Sequence, residues 1–274
     1  MHAIRFRIKF IMLILSVVFA LASVSGPGTA YASSIYDGLV AYWPFEGNAL
    51  DVSGNGHHGT VNGAATPAPD RFGNPDSAYD FSSGAYIDVA TSSLLEITGS
   101  MTISVWVKYD SLPLNPRIIS FGPDYNGYEL YVGGGTWSTK DKVYFLYDGL
   151  GIESDTTLSP GTWYSITAIG TPSGLEIWIN GVKDAQYAGT TSGFNYSSPF
   201  NIGRKATSDY DAWDGVIDDV MIYSRALGGE EVAYLYNLKE TLPSPVPEPS
   251  TLFLLGSGLL GMFLARKRFG RRDG

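Results

Sequence analysis

Along Met101–Lys108 apolar and polar residues alternate. Ile103, Val105 and Val107 share one face, and Thr102, Ser104, Trp106 and Lys108 share the other. A period of two marks an extended strand with one face on a core. Lys142–Tyr147, Trp163–Ile169 and Leu175–Ile179 repeat the theme. Asn180-Gly181 follows the last of these and precedes Val182, a two-residue hairpin signal because both turn positions must accept positive φ. One segment breaks the period: in Gly229–Asn237, Val232, Leu235 and Tyr236 fall at helical spacing, and Glu230-Glu231 suit a first turn. Many strands and one late, short helix predict an all-β fold, an antiparallel β-sandwich or jelly roll.

Two apolar runs stand apart at the ends. Phe10–Ala22 follows Arg5, Arg7 and Lys9 and leads to Ala30-Tyr31-Ala32. That order is a secretory signal peptide over residues 1–32, removed by signal peptidase after Ala32. Thr251–Ala265 is an uncharged apolar run of 15 residues. As a transmembrane helix it is about 22 Å long against a ~30 Å hydrocarbon core, so it spans with snorkelling arginines or with help from Val246–Ser250. The basic residues behind it stay cytoplasmic and leave the body outside. Residues 238–246 form a Pro-rich linker. The folded body is therefore residues 37–237.

Composition agrees with a sandwich and narrows its chemistry. The chain carries 18 Tyr, 13 Phe, 6 Trp and 33 Gly, which fill pleated surfaces and turns. Eight of its 18 Lys and Arg lie in the two end segments, leaving ten bases against 26 acids between Ser33 and Ala265. A body this acidic repels phosphate backbones, which argues against nucleic-acid partners and suits cations or neutral glycans. The chain has no cysteine, so thiol catalysis, zinc-thiolate sites and disulfide support are excluded.

Short motifs then follow one another in a recognisable order. Gly38–Asn48 (GLVAYWPFEGN) opens the body, and Asp51–Gly59 (DVSGNGHHG) follows. Next come Ala78–Phe81, Tyr86–Val89, the strand from Thr102 to Lys108, and Trp163-Tyr164. Trp178–Val182, Asn201–Gly203 and Gly215–Leu227 (GVIDDVMIYSRAL) complete the series. Together they resemble the LamG-like jelly roll of the concanavalin A-like lectin/glucanase superfamily, over about Gly38 to Tyr236. The resemblance implies two packed antiparallel sheets but no single ligand, since that fold hosts lectins, glycosidases, adhesion modules and spacers. At the far end Pro247-Glu248-Pro249, the apolar run and Arg266-Lys267-Arg268 resemble the PEP-CTERM sorting signal, residues 247–272. This implies processing by an exosortase and a Gram-negative, exopolysaccharide-making source. The chain would be tethered to the inner membrane during sorting, then placed at the cell surface or in the extracellular matrix.

In related jelly rolls a structural Ca²⁺ pins the N-terminal segment to the last strand. Asp218 matches a ligand position, with Glu46, Asp51, Asn55 and the Gly84 carbonyl as partners; hard oxygen donors on turns are what Ca²⁺ needs. Asp51 and Asn55 equally suit plain turns. Sugars stack on aromatic rings, so Trp137 and Tyr131, in an aromatic, Gly-rich stretch with Tyr125 and Tyr128, and Tyr210 and Trp213, in a second loop, are candidate ligand-binding residues. A laminarinase-type hydrolase would show Glu-x-Asp-x-x-Glu; here Glu153-Ser154-Asp155 is followed by Leu158 in the third acidic place, so no catalytic residues are assigned. His57-His58 reads as an exposed loop. The expected function is a non-enzymatic surface or matrix module for adhesion or polysaccharide binding, with a glycan-active enzyme or an inert spacer as alternatives.

Overall fold

A computed structural model describes residues 35–112, 114–123, 126–135, 138–205, 211–239 and 241–242. The sandwich lies within the compact unit that ends at Thr241. The strands, in chain order, are β1 (Leu39–Trp43), β2 (Gly59–Asn62), β3 (Thr66–Ala68), β4 (Ala78–Asp80), β5 (Tyr86–Val89), β6 (Met101–Tyr109), β7 (Arg117–Phe121) and β8 (Tyr128–Val132). They continue with β9 (Lys142–Tyr147), β10 (Leu150–Thr157), β11 (Tyr164–Thr171), β12 (Gly174–Ile179), β13 (Val182–Ala188), β14 (Phe200–Ile202) and β15 (Gly215–Tyr223). Among the described residues one α-helix, α1 (Gly229–Asn237), ends the series.

The first sheet runs β13-β12-β11-β6-β15-β4-β3, with β1 also paired to β15; the second runs β10-β9-β8-β7-β14-β5-β2. Pairing is antiparallel, and the sheets share one core that joins Ile103, Val105 and Val107 to Phe121, Leu130 and Phe145. Trp43 of β1 stacks on Phe200 of β14 across the two layers, centroids 5.6 Å apart. Burying each such aliphatic side chain contributes about 1.5–3 kcal/mol, and that burial holds together a fold without disulfides. The Asn180-Gly181 turn forms as expected, with φ of 51° and 77° between β12 and β13.

The outer face of β6 differs from a simple half-buried strand. Thr102 and Ser104 are buried there. The chain entering α1 is tied to Thr102, whose Oγ1 donates to the Arg225 carbonyl and accepts from the Leu227 N–H. Helix α1 then lies over this face, with Val232 and Leu235 buried and Tyr236 stacked on Trp106. The Glu231 carboxylate caps the helix by accepting from the Gly228 N–H and from Arg225.

The His57-His58 loop also departs from expectation. His57 is buried, its carbonyl accepts from the Trp43 indole N–H, and burial pushes its pKa down; His58 is exposed. The tail segment Thr251–Ala265 lies outside the described residues, among which no helix is long and apolar enough to cross a membrane.

Candidate functional site

Strand β15 carries the centre of the site because it is irregular there. Its register with β6 shifts between Asp218 and Met221, and Asp219 adopts a φ of 48°. In a regular strand consecutive side chains point to opposite faces. The extra residue of a bulge suspends that rule, and both carboxylates reach the same guanidinium. Arg71 Nη1 lies 3.0 Å from Asp218 Oδ2 and 2.8 Å from Asp219 Oδ2. The Tyr42 hydroxyl donates to Asp219 Oδ1 at 2.6 Å.

Arg71 comes from the β3–β4 loop, which is shaped by its own neighbour. The Asp70 carboxylate accepts from the N–H groups of Phe72 and Asn74 and from the Asn74 amide. Nη2 of Arg71 donates to the Leu238 carbonyl just past α1, at 3.4 Å. Its Cζ sits 4.4 Å from the Trp106 ring centroid and 4.6 Å from that of Phe72. Burial, reinforced by the adjacent Asp219, pushes Asp218 up to about 9 against the pull of Arg71; burial likewise raises Asp219.

Two hollows meet at Arg71. One is a polar recess of about 340 Å³ lined by Glu46, Asp70, Asn74, Asp218, Asp219 and Lys239, among others. The other is an aromatic cleft, also about 340 Å³, lined by Phe72, Trp106, Trp163, Tyr236 and Lys239. Trp106 and Tyr236 stack at 5.7 Å and 18°, while Phe72 and Tyr236 are 49% and 36% exposed. Lys108 lies over Trp163, 5.4 Å from its centroid. The exposed rings of Phe72 and Tyr236, beside fixed charged and hydroxyl groups, have the usual make-up of a sugar-binding surface. A larger hollow of about 430 Å³ beside β12 and β13 has one aromatic ring, Tyr187, among its described lining.

The residues expected from sequence fall differently. Glu46 and Asp218 line the recess together, but Asp51, Asn55 and Gly84 are not part of it. The Asp51 carboxylate is used on the N–H groups of Tyr42, Ser53 and His57, and the Asn55 amide donates to the carbonyls of Leu39 and Val40. These are turn-forming and loop-pinning roles. Gly84 closes a short 3-10 turn, Ser82–Gly84. The remaining donors do not fit Ca²⁺, because a guanidinium already occupies the position between the two carboxylates. Both Glu46 oxygens are also engaged, by Ser77 and Thr241. Among the described residues no three Asp, Glu or His side chains gather as a metal set.

The aromatic expectations need correction as well. Trp213 is fully buried and meets Tyr109 edge-on at 6.2 Å, so it is core and offers a sugar no face. Tyr128 is likewise core. Tyr131 is held between the Arg117 guanidinium, 4.1 Å from its centroid, and the Tyr144 ring at 5.0 Å. Trp137, Tyr210, Tyr125 and the sorting residues Pro247, Glu248, Pro249, Arg266, Lys267 and Arg268 lie outside the described residues. Sequence reasoning passed over Arg71, Phe72, Trp106, Trp163 and Tyr236. For Trp106 a signal exists: the alternation of β6 puts a large ring on the face opposite the core.

A two-sheet antiparallel sandwich of this strand order is a jelly roll. Residues 81–233 match the concanavalin A-like lectin/glucanases superfamily (Laminin_G_3), and the chain belongs to that family. Residues 245–268 match the PEP-CTERM protein-sorting motif, which implies export and exosortase processing. No curated protein matches the chain. Among solved structures it is similar to domain 4 of a GH43 extracellular arabinanase from Geobacillus stearothermophilus, solved with arabinotriose. Identity is 19%, coverage is 73% of this chain and 98% of that one, and the TM-score is 0.57. It is also similar to botulinum neurotoxin type C, in a structure concerned with cell entry through two ganglioside molecules (17% identity, 75% and 52% covered, TM-score 0.57). The binding domain of Paraclostridial Mosquitocidal Protein 1 is a third (19% identity, 74% and 52% covered, TM-score 0.59). The chain spans about half of each of these two toxin chains, and at such identities the likeness concerns the fold.

Proposed function

We propose that this chain is a non-enzymatic glycan-binding module, exported and sorted to the cell surface or extracellular matrix, where it holds polysaccharide. The observation that carries this reading is the aromatic cleft of Phe72, Trp106, Trp163 and Tyr236 opening beside the polar recess at Arg71. Rings take the apolar face of a sugar, and the adjoining polar groups fix its hydroxyls. The arabinotriose-bound arabinanase domain and the ganglioside-linked neurotoxin lend support, as proteins of the same fold that meet carbohydrate.

Binding is favoured over hydrolysis by the pairing of the three strand glutamates. Glu129 is paired with Arg117 at 2.8 Å, Glu176 with Lys183, and Glu153 with Lys142 at 3.4 Å. Leu158, in the third acidic place of the hydrolase pattern, is buried in the core. A retaining glycosidase needs two carboxyl groups about 5–5.5 Å apart across a bond. The test is retention of the purified chain on insoluble neutral polysaccharides, with product sugars assayed in the same tubes. Retention without new reducing ends is expected. No retention across the panel overturns the reading, and release of sugars replaces it with a hydrolase.

A further inference from the structure

We infer that Arg71 is the resident cation of this site: its guanidinium imposes the arrangement that a divalent ion would otherwise impose, so the cleft is assembled and engages its ligand without Ca²⁺. The ligand half of this inference rests on the glycan-binding reading; the metal half does not.

The guanidinium joins four separate pieces of chain. It meets Asp218 and Asp219 on β15 at 3.0 and 2.8 Å, and the Leu238 carbonyl beyond α1 at 3.4 Å. It faces Trp106 on β6 at 4.4 Å and stays in its own β3–β4 loop beside Phe72. The side chain is only 7% exposed, so these contacts are made out of water. A Ca²⁺ ion takes about 6–8 oxygen donors at ~2.3–2.6 Å. Here the donors are already committed: Asp219 Oδ1 to Tyr42, and the Glu46 oxygens to Ser77 and Thr241.

A guanidinium also does something a metal ion cannot. It is flat and weakly hydrated, so its edge binds carboxylates while its faces meet aromatic rings. That shape lets one residue brace the floor of the recess and the wall of the cleft together. Lysine keeps the charge but loses both the fork and the flat face.

The experiment follows two readouts on the full chain, with excess calcium and with excess chelator: the melting midpoint, and retention on the neutral polysaccharide that binds best. For the wild type both readouts are expected to be the same in the two conditions. Arg71→Lys is expected to keep the fold and weaken retention about tenfold, again without calcium dependence. Arg71→Ala leaves two adjacent buried carboxyls with no cation, and its midpoint is expected to fall below that of the wild type in both conditions. A wild-type midpoint or retention that increases with calcium overturns the inference, and so does an Arg71→Lys variant that binds as the wild type does. If Arg71→Ala does not fold, the wild-type and Arg71→Lys arms decide alone. If no polysaccharide is retained, the glycan reading fails, while the wild-type midpoints still decide whether calcium is required.

Discussion

Asp218 and Asp219 are consecutive in the chain, yet both turn a carboxylate oxygen to the same Nη1 of Arg71, at 3.0 and 2.8 Å. The bulge in β15 permits this, and the loop carrying Arg71 exploits it. One guanidinium thereby fastens a loop almost 150 positions away to the centre of the first sheet. Removing one partner of a buried ion pair typically costs about 3–5 kcal/mol, because the other charge is left desolvated.

The raised pKa of Asp218 sets a pH dependence. A carboxyl that holds its proton more tightly in the folded state contributes stability that is full below its unfolded value of 3.8 and is lost as pH rises through about 9. Asp218→Asn removes that titration. The melting midpoint of the variant relative to wild type is expected to climb from pH 4 to pH 9. A constant or falling difference rules out a buried, proton-holding Asp218.

The cleft can be probed through its two exposed rings. Phe72→Ala and Tyr236→Ala should each weaken polysaccharide retention about tenfold, near the value of one aromatic contact. The Phe72→Ala midpoint should move little, since that ring is about half in water, while Tyr236→Ala should lower the midpoint further because its ring stacks on Trp106. Retention unchanged in both variants would place the sugar site elsewhere.

Charge should select among glycans. Ten bases face 26 acids in the body, so polyuronate or sulfated chains are repelled while neutral chains are not. Retention of acidic polysaccharides should be weaker than that of neutral ones at low salt, and the gap should close as salt screens it. Tighter binding to the acidic polymer at low salt contradicts this.

Gly215 opens β15 with a φ of 145°, and a Cβ there would collide with the Lys108 carbonyl oxygen and the Tyr109 backbone. Gly215→Ala should therefore destabilise the fold by about 1–3 kcal/mol in urea unfolding. An unchanged midpoint would mean that the strand start can shift without penalty.

Processing is open to intact-mass measurement on protein from native cells and medium. A mature chain that begins at Ser33 and lacks the segment after about Pro249 is expected. A retained tail points instead to a permanent membrane anchor.

Local rules made much of this protein legible in its sequence. Strand β9 falls on Lys142–Tyr147 and helix α1 on Gly229–Asn237 because period-two and helical spacing report burial directly. Asn180-Gly181 predicts its hairpin because few residues tolerate the backbone it requires. The motif series points to the jelly roll, and the tail to its sorting motif. The candidate site was less legible. Trp213 sits in an aromatic loop yet is swallowed by the core, and Asp51 resembles a metal ligand yet serves its own turn. Arg71 carries no local pattern at all. Its role depends on where a bulge puts Asp219 and where α1 lays Tyr236 on Trp106. By itself the sequence determined several central strands, the helix over Gly229–Asn237 and the family, because periodicity and turn chemistry act between near neighbours. Only the tertiary structure decided the site, because an ion pair spanning 147 positions and a stack of rings from β6 and α1 exist only once the sheets have packed.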